Sequence, residues 1–199
     1  MSKIIDYYFT PISPWTFLGH DRFVAIARKH NAAISVKPIN LGRVFPVSGG
    51  LPLSKRAPQR QKYRLVELRR WAAHLGIPMN VQPRHFPVLG DIAACWILAA
   101  LEQSDAAGVA MTGAIGRALW CEEKDITDAA VLGDIAARLT LDVPTLAERA
   151  AAPDTALRYD TLTQEAIDRD VFGAPTYLYA GEMFWGQDRL DFLDRALSK

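Results

Sequence analysis

The hydrophobic pattern of the chain changes twice, and each change marks a different part of the predicted fold. Near the N-terminus, Ile4–Phe9 is an apolar, aromatic run of strand type, and residues 17–30 repeat apolar side chains at a helical period. Residues 34–39 alternate again, with Pro38 favouring a sheet edge or a strand end. This order of strand, helix and strand predicts a parallel pair joined by a right-handed crossover.

The middle of the chain is dominated by helical periodicity. Residues 46–60 contain prolines, Gly49-Gly50 and a basic pair, and they are predicted to form a loop. From residue 63 to about residue 170 nearly every segment is predicted to be helical. The predicted helices are an amphipathic one ending at Gly76, two alanine-rich ones over 92–107 and 109–123, one beginning near Asp128, one with Pro144 in its first turn, and one over 155–170.

Strand character returns near the C-terminus. Residues 175–179 are rich in β-favouring side chains, residues 180–182 are predicted to turn, and residues 183–185 begin a partner strand. Residues 187–197 follow as an amphipathic helix. The whole order predicts an α/β fold, a thioredoxin-like βαβ-ββα sheet interrupted by a large all-helical insertion. The predicted domains are a discontinuous thioredoxin-like domain over 1–45 and 171–199 and an inserted helical domain over 46–170.

Composition excludes several classes of function. The chain has 199 residues, of which 50% are hydrophobic and 23% are charged, and its net charge is +1. A nucleic-acid-binding protein would carry a basic excess, and a disordered chain would be much less apolar. No apolar run is long enough to span a membrane and no signal peptide is evident. We therefore expect a cytoplasmic protein that binds neither nucleic acid nor membranes.

The two cysteines do not point to redox or metal chemistry. Cys95 and Cys121 form neither a Cys-x-x-Cys pair nor a metal-ligand spacing. Both lie in apolar helical segments, where a small core residue is a simpler interpretation than a reactive thiol. The sequence therefore predicts no metal site.

Ser13 and Pro14 stand where the first strand gives way to the first helix. Serine is a preferred N-cap and proline is tolerated in the first turn, so a helix cap is sufficient to explain the pair locally. The same helix N-terminus offers free N–H groups and a partial positive charge, which suit an anion. Disulfide oxidoreductases of the thioredoxin superfamily carry Cys-Pro-x-Cys at this place. Ser13 and Thr16 stand instead of those cysteines, which excludes dithiol chemistry.

Two further features lie near the C-terminus. Ala174-Pro175 precedes the third strand, where a thioredoxin-like order places a cis-proline, although cis bonds are only about 5–6% of X-Pro bonds. A cis bond there would let the Ala174 backbone pair with an extended, peptide-like ligand. Gly186 precedes a helix start with Gln187 and Asp188, where the acid either complements the helix dipole or pairs with a ligand ammonium. One small molecule, glutathione, offers all the groups that these sites suit: a carboxylate and an ammonium on one carbon, a peptide backbone and a thiol.

Together, these stretches resemble the 2-hydroxychromene-2-carboxylate isomerases and, more distantly, the kappa-class glutathione transferases. The resemblance spans almost the whole chain, and its most specific motif is Phe-Trp-Gly-Gln-Asp-Arg-Leu at 184–190. The other matching stretches are Tyr8-Phe9 with Ser13-Pro14, the segment 63–78, and residues 166–176. The resemblance implies a homodimeric, glutathione-dependent isomerase from the breakdown of naphthalene-like aromatics. Its reaction interconverts 2-hydroxychromene-2-carboxylate and trans-o-hydroxybenzylidenepyruvate.

The resemblance also implies roles for individual residues. Ser13 is expected to contact the glutathione sulfur as a hydrogen-bond donor and not as a covalent nucleophile, since no His and Asp spacing offers it a base. The remaining glutathione-binding residues that it implies are Ala174, Pro175, Trp185, Gly186, Gln187 and Asp188. Candidates for holding the substrate carboxylate, each also typical of an ordinary surface, are Lys55, Arg56, Arg60, Arg84 and His85. Gly50 stands where relatives often have asparagine, so the substrate could differ from the usual one.

The implied mechanism is a reversible thiolate addition. The glutathione thiolate adds to the β-carbon of the unsaturated keto acid, the former double bond rotates, and the thiolate leaves unchanged. A kappa-like glutathione transferase that conjugates electrophiles is one alternative, because it needs the same thiolate site. A non-catalytic thioredoxin-like binding module is another, and the presence of Ser13 together with residues 186–188 disfavours it.

Overall fold

A computed structural model describes residues 3–199, and within them four strands and nine α-helices follow one another in the order that the sequence predicts, with one additional helix. Two short 3₁₀ turns, Leu53–Lys55 and Gln187–Arg189, complete the regular structure of this part of the chain. The elements are β1 (Ile4–Phe9), α1 (Pro14–Lys29), β2 (Ala33–Pro38), α2 (Leu41–Ser48), α3 (Pro58–Leu75), α4 (Asp91–Gln103), α5 (Asp105–Trp120), α6 (Ala129–Arg138), α7 (Val143–Ala151), α8 (Pro153–Asp168), β3 (Thr176–Tyr179), β4 (Glu182–Trp185) and α9 (Leu190–Leu197).

The four strands form one mixed sheet in the order β2-β1-β3-β4. β1 and β2 are parallel, with Tyr7 opposite Val36, so α1 is the crossover that the sequence predicts. β3 is antiparallel to β1, with Tyr177 opposite Tyr7, and β4 returns beside β3 as a hairpin. The predicted α/β sheet, interrupted by helices between β2 and β3, is therefore confirmed.

Aromatic side chains from three elements form the centre of the core. Tyr7, Phe23 and Tyr177 are fully buried, and the Tyr7 ring lies 4.6 Å from Phe23 and 5.3 Å from Tyr177, measured between centroids. Burial of each such side chain stabilises the fold by roughly 1.5–3 kcal/mol. The same hydrophobic cluster continues into the helical segment, where it includes Trp96 of α4 and Trp120 of α5. One continuous core therefore joins the sheet to the helices that interrupt it.

The opposite face of the sheet is covered by α2 and α8. Tyr8 and Leu178 of the sheet pack there in a separate cluster with Val44 and Ala166. The Tyr8 hydroxyl donates a 2.6 Å hydrogen bond to Glu165 of α8. Because the Tyr8 hydroxyl is shielded and has an acceptor within the protein, this contact stabilises the fold.

The predicted loop over 46–60 is wrong at both of its ends. α2 continues through Pro46 to residue 48, and α3 begins at Pro58, with the proline in its first turn. The Asn40 side chain accepts a 2.8 Å hydrogen bond from the Gly42 amide and caps α2, and Gly49 closes it at φ +75°. These are ordinary start and stop signals, but the helix between them is only two turns long, so its periodicity is weak.

The division between α4 and α5 lies earlier than the hydrophobic pattern predicts. α4 ends at residue 103, and the Ser104 side chain accepts a 3.0 Å hydrogen bond from the Ala107 amide at the start of α5. Both helices are apolar on several sides, so the pattern alone did not mark the break. Among residues 3–199, no helix is long and apolar enough to cross a membrane.

Candidate active site

Ser13 is held at the N-terminus of α1 by its own backbone and side chain. After β1 the chain makes a tight turn in which the Ser13 amide donates a 3.0 Å hydrogen bond to the Thr10 carbonyl. The Ser13 Oγ accepts a 3.1 Å hydrogen bond from the Thr16 amide, as an N-cap does. A hydroxyl that accepts through a lone pair keeps its own proton free to donate. Capping and hydrogen bonding to a ligand are therefore compatible roles for this serine.

The first turn of α1 has an uncompensated positive end. Pro14 has no amide proton, and the Thr16 amide is satisfied by Ser13, but the Trp15 amide meets no acceptor within residues 3–199. No acidic residue lies in this turn. The dipole of the helix and the Trp15 amide therefore favour an anion next to Ser13.

Ala174-Pro175 reaches the same end of the sheet from the other direction. The bond between the two residues is cis. β3 starts directly after it, and the pairing of Thr176 with Tyr8 places this start beside the end of β1, from which the Ser13 turn departs. Pro175 is buried and Ala174 is half-buried. The two features that the sequence separates by more than 150 residues thus lie at one edge of the sheet.

Residues 185–188 form the next side of the site. Gly186 has φ +100°, a conformation that favours glycine, and its amide donates a 2.8 Å hydrogen bond to the Pro175 carbonyl. Asp188 is exposed, and its carboxylate lies 2.7 Å from the Arg189 guanidinium. The segment is therefore fixed to the cis-proline loop by its backbone, while the Asp188 carboxylate faces solvent.

Gln187 is oriented differently from the other predicted ligand residues. Its side chain is only 2% exposed, and Arg22 of α1 donates hydrogen bonds to both its backbone carbonyl, at 3.0 Å, and its side-chain oxygen. A Cβ on Gly19 would lie 2.8 Å from the Gln187 Cβ, so only glycine fits there without a shift. The side chain and the carbonyl of Gln187 are thus taken by Arg22, and its backbone N–H is the group that has no acceptor within residues 3–199. Sequence reasoning missed both Arg22 and Gly19, which no motif marks.

An exposed aromatic pair flanks the cis-proline loop. Trp185 is 51% exposed and Phe172 is 40% exposed, and their rings meet edge to face at 4.8 Å. Gly173 lies against the Trp185 indole so closely that a Cβ there would come within 2.4 Å of its Nε1. Exposed aromatic surface beside a backbone that is free to pair is suited to an extended ligand.

The basic residues predicted to hold a substrate carboxylate have different surroundings. Lys55, Arg60 and Arg84 are exposed. The Arg56 Nε donates a 2.8 Å hydrogen bond to the Leu51 carbonyl, and burial followed by the charge of Arg60 lowers the pKa of Arg56. The His85 Nδ1 lies 3.5 Å from the Asp125 carboxylate. His85 therefore has a carboxylate partner of its own.

A sixth basic residue, Arg64 of α3, was missed by the sequence reasoning. It is half-buried, with its guanidinium carbon 5.2 Å from the centroid of the Phe86 ring. Burial, followed by the charge of Arg56, lowers its pKa to about 10. Its spacing of four residues from both Arg60 and the buried Leu68 was the available signal, because that spacing places an arginine on the packed face of the helix.

Two other features lie apart from this site. Cys95 and Cys121 are half-buried, and burial raises the pKa of both thiols, which disfavours the reactive thiolate. A groove of about 820 Å³ opens between α1, α5 and α6, lined by residues such as Asp21 and Ala110. Its lining includes none of the residues that surround Ser13.

Comparison with known proteins gives consistent matches over the full chain. The family described as DSBA-like thioredoxin domain matches residues 4–198. A 2-hydroxychromene-2-carboxylate isomerase of Sphingobium xenophagum is 32% identical over 202 residues, covering 99% of both chains. One of Pseudomonas putida is 29% identical over 199 residues, covering 98% of this chain and 95% of that one.

Solved structures agree with these matches. A structure of 2-hydroxychromene-2-carboxylate isomerase superposes with a TM-score of 0.83 at 27% identity, covering 98% of this chain and 94% of the other. The cytosolic disulfide reductase DsbM of Pseudomonas aeruginosa, solved with GSH, superposes at 0.69 with 17% identity, covering 98% of this chain and all of that one. The second likeness concerns the fold alone.

Proposed function

We propose a glutathione-dependent reaction for this chain, which belongs to the family of DSBA-like thioredoxin domains and, within it, to the 2-hydroxychromene-2-carboxylate isomerases. The chain is an isomerase enzyme. The reaction proposed is the interconversion of 2-hydroxychromene-2-carboxylate and trans-o-hydroxybenzylidenepyruvate, with glutathione returned unchanged.

The observation that carries the proposal is the pair of donors at the start of α1. The Ser13 hydroxyl proton is free to donate, the Trp15 amide has no acceptor within residues 3–199, and no acid neutralises the turn. An ordinary thiol with a pKa near 8.5 is only a few per cent ionised at pH 7. Lowering that pKa by about two units corresponds to about 2.7 kcal/mol, which two such donors and a helix dipole can supply.

The three chemical parts of glutathione fit three different groups of this site. Ser13 would hold the sulfur, and the half-buried Ala174 would offer its backbone to the cysteinyl peptide. The γ-glutamyl end would meet the Gln187 amide and the exposed Asp188 carboxylate, which suits an ammonium. When bound, glutathione supplies a thiolate that adds reversibly to the β-carbon of an unsaturated keto acid, which frees the former double bond to rotate.

The residues of the chain have separate tasks in this scheme. Ser13 and the Trp15 amide hold negative charge at the sulfur position, so the attacking group stays ionised. Ser13 keeps its own proton throughout, because no histidine or carboxylate contacts its Oγ within residues 3–199. The Trp185 and Phe172 rings give the site an apolar wall on one side. Catalysis by this site is thus thiolate stabilisation and positioning rather than acid–base chemistry.

An ultraviolet assay of the chromene–pyruvate interconversion tests the proposal. Enzyme freed of small thiols by dialysis is expected to be inactive, and added glutathione should restore turnover without being consumed. Full activity in glutathione-free buffer would contradict the proposal. Stoichiometric loss of glutathione thiol with formation of an adduct would instead indicate a glutathione transferase that uses the same thiolate site.

A further inference from the structure

The N-terminal part of α3 carries positive charge that the protein does not neutralise. Arg60 and Arg64 are four residues apart, so two like charges lie on one side of the helix, an arrangement that is unfavourable on its own. Neither they nor Arg56, which precedes the helix, forms an ion pair with a carboxylate within residues 3–199. By contrast, Arg70 on the same helix pairs with Glu67 at 2.6 Å.

Arg64 is the most enclosed member of this group. Its guanidinium carbon lies 5.2 Å from the centroid of the Phe86 ring and 6.0 Å from that of Trp120. Aromatic faces attract a cation, but this attraction is weaker than a charge-assisted hydrogen bond to a carboxylate. Within residues 3–199 no oxygen accepts a hydrogen bond from Arg64. A half-buried guanidinium without an anion has lost hydration and gained no compensating partner.

Two independent series of contacts support a position of this guanidinium near Ser13. Along α5, Gly113 lies against His20 and Gly116 against Phe17, so the two helices run antiparallel. One turn beyond Gly116 on α5 is Trp120, the neighbour of Arg64, and one turn before Phe17 on α1 is Ser13, so we infer that these two turns face each other.

The contacts of α3 lead to the same place. Trp71 lies under the Arg22 guanidinium at 5.6 Å, and Leu68 packs in one cluster with Leu18 and Trp15. The two helices therefore run in the same direction, and earlier residues of α3 lie beside earlier residues of α1. Since Arg64 lies one turn before Leu68, we infer that its side chain lies near the N-terminal end of α1, where Ser13 is.

We propose that Arg64 is the residue that recognises the carboxylate of the keto-acid substrate, with Phe86 and Trp120 as the aromatic wall behind it. A guanidinium binds a carboxylate through two parallel hydrogen bonds, which fixes direction as well as charge. This inference rests on the proposed function, because it assumes an aromatic keto acid in the site. Arg56 supplies a second positive charge nearby, as its effect on the pKa of Arg64 indicates.

A pair of substrates that differ only in the carboxylate tests the inference. The acid is trans-o-hydroxybenzylidenepyruvate, and the neutral counterpart is the methyl ketone trans-o-hydroxybenzylideneacetone, both assayed with glutathione. In Arg64→Gln, kcat/KM for the acid should fall about 10- to 100-fold, the range for a lost hydrogen bond to a charged group. The value for the ketone should change less than about threefold. Arg64→Lys keeps the charge without the planar fork, so it should be intermediate for the acid.

The matched control is Arg69→Gln, which removes an exposed arginine from the same helix and should leave both substrates unaffected. An equal loss for acid and ketone in Arg64→Gln, with an unchanged melting temperature, would overturn the carboxylate role. If the ratio of kcat/KM for the acid to kcat/KM for the ketone is unchanged in both Arg64 variants, the role is overturned as well.

Failure of the proposed function would be visible separately. If the wild type converts neither compound with glutathione present, the reaction is wrong, but the anion site is still tested by calorimetric titration with trans-cinnamate and with uncharged cinnamamide. Binding of cinnamate that weakens about tenfold or more in Arg64→Gln would support the site. Equal binding of cinnamate to wild type and variant would overturn it.

Discussion

Two regions of this molecule collect charged and polar groups, and they differ in what those groups contact. On the α8 side of the sheet, Lys37 lies 3.0 Å from Asp6 and 2.6 Å from Glu165, and Arg169 also pairs with Asp6. We call these four residues the paired cluster. At the start of α1 the Ser13 hydroxyl and the Trp15 amide, and on α3 the Arg64 guanidinium, meet no anion within residues 3–199; we call them the open donors.

This difference distinguishes polar groups that stabilise the fold from polar groups that are available to a ligand. In the paired cluster each charge is compensated by the protein, so the cluster can contribute to stability and needs no ligand. The open donors retain hydrogen-bonding capacity that only a molecule from outside can satisfy. Substitutions in the first region should therefore change stability, and substitutions in the second should change catalysis.

The largest effect is expected for Ser13→Ala. Loss of the donor to the thiolate should lower kcat/KM about 100-fold, as for removal of one donor from an anion-stabilising site. Loss of the cap should also cost about 1 kcal/mol of unfolding free energy. Ser104→Ala is the matched control, since Ser104 caps α5 through a 3.0 Å hydrogen bond and lies at another helix start. It should show the same loss of stability and full activity; equal activities of the two variants would show that Ser13 acts only as a helix cap.

Lys37→Met should break the paired cluster and leave the enzyme active. The Lys37 side chain is 14% exposed, and its loss leaves two partly buried carboxylates with one cation fewer, so we expect a cost of about 1–2 kcal/mol in unfolding free energy. Lys29→Met is the control. The Lys29 side chain, which pairs with Asp194, is 60% exposed, so this ion pair should contribute under about 1 kcal/mol to the unfolding free energy. Urea unfolding measures both, and a loss of activity per folded molecule in Lys37→Met would contradict the assignment.

Arg22→Lys should affect binding of glutathione more than turnover. One guanidinium nitrogen of Arg22 holds both the backbone carbonyl and the side-chain oxygen of Gln187, and the lysine ammonium ends one bond short of that position. A rise in KM for glutathione of about threefold to tenfold, the equivalent of one ordinary hydrogen bond, is expected with kcat nearly unchanged. Steady-state kinetics at varied glutathione measure this division. A fall in kcat alone would place Arg22 in the chemical step instead.

The smallest effect is expected in the acid stability of Asp6→Asn. Burial acts to raise the pKa of Asp6, but hydrogen bonds from Arg169 and Lys37 prevail and hold it below its usual value. Stability from this pair is therefore complete above the unfolded-state pKa of about 3.9 and is lost as the pH falls through the folded-state pKa. Asp6→Asn should show a shallower loss of stability below about pH 4 than the wild type. Identical pH profiles would show that Asp6 is not linked to folding.

The sequence was sufficient for features that depend on local chemistry and element order. The capping position of Ser13, the cis bond at Ala174-Pro175 and the sheet itself followed from such signals. Arg64 did not, because its lack of an anionic partner is a property of the folded molecule and not of its neighbours in the chain. Gln187 was predicted as a ligand residue, but its side chain is taken by Arg22, which lies 165 residues away.

The homodimer and the cytoplasmic location stay predictions, as do the division into two domains and the role of each glutathione-binding residue. Helix α2 was missed because two turns give too little periodicity, although Asn40 and Gly49 marked its ends.

The most direct test of the central claim is the pKa of the glutathione thiol when it is bound to the enzyme, measured by titrating the ultraviolet absorbance of the thiolate. In the wild type we expect a thiol pKa about two units below the ordinary 8.5, and in Ser13→Ala we expect it to return most of the way to 8.5. Bound glutathione that titrates like the free thiol in wild-type enzyme would contradict that claim.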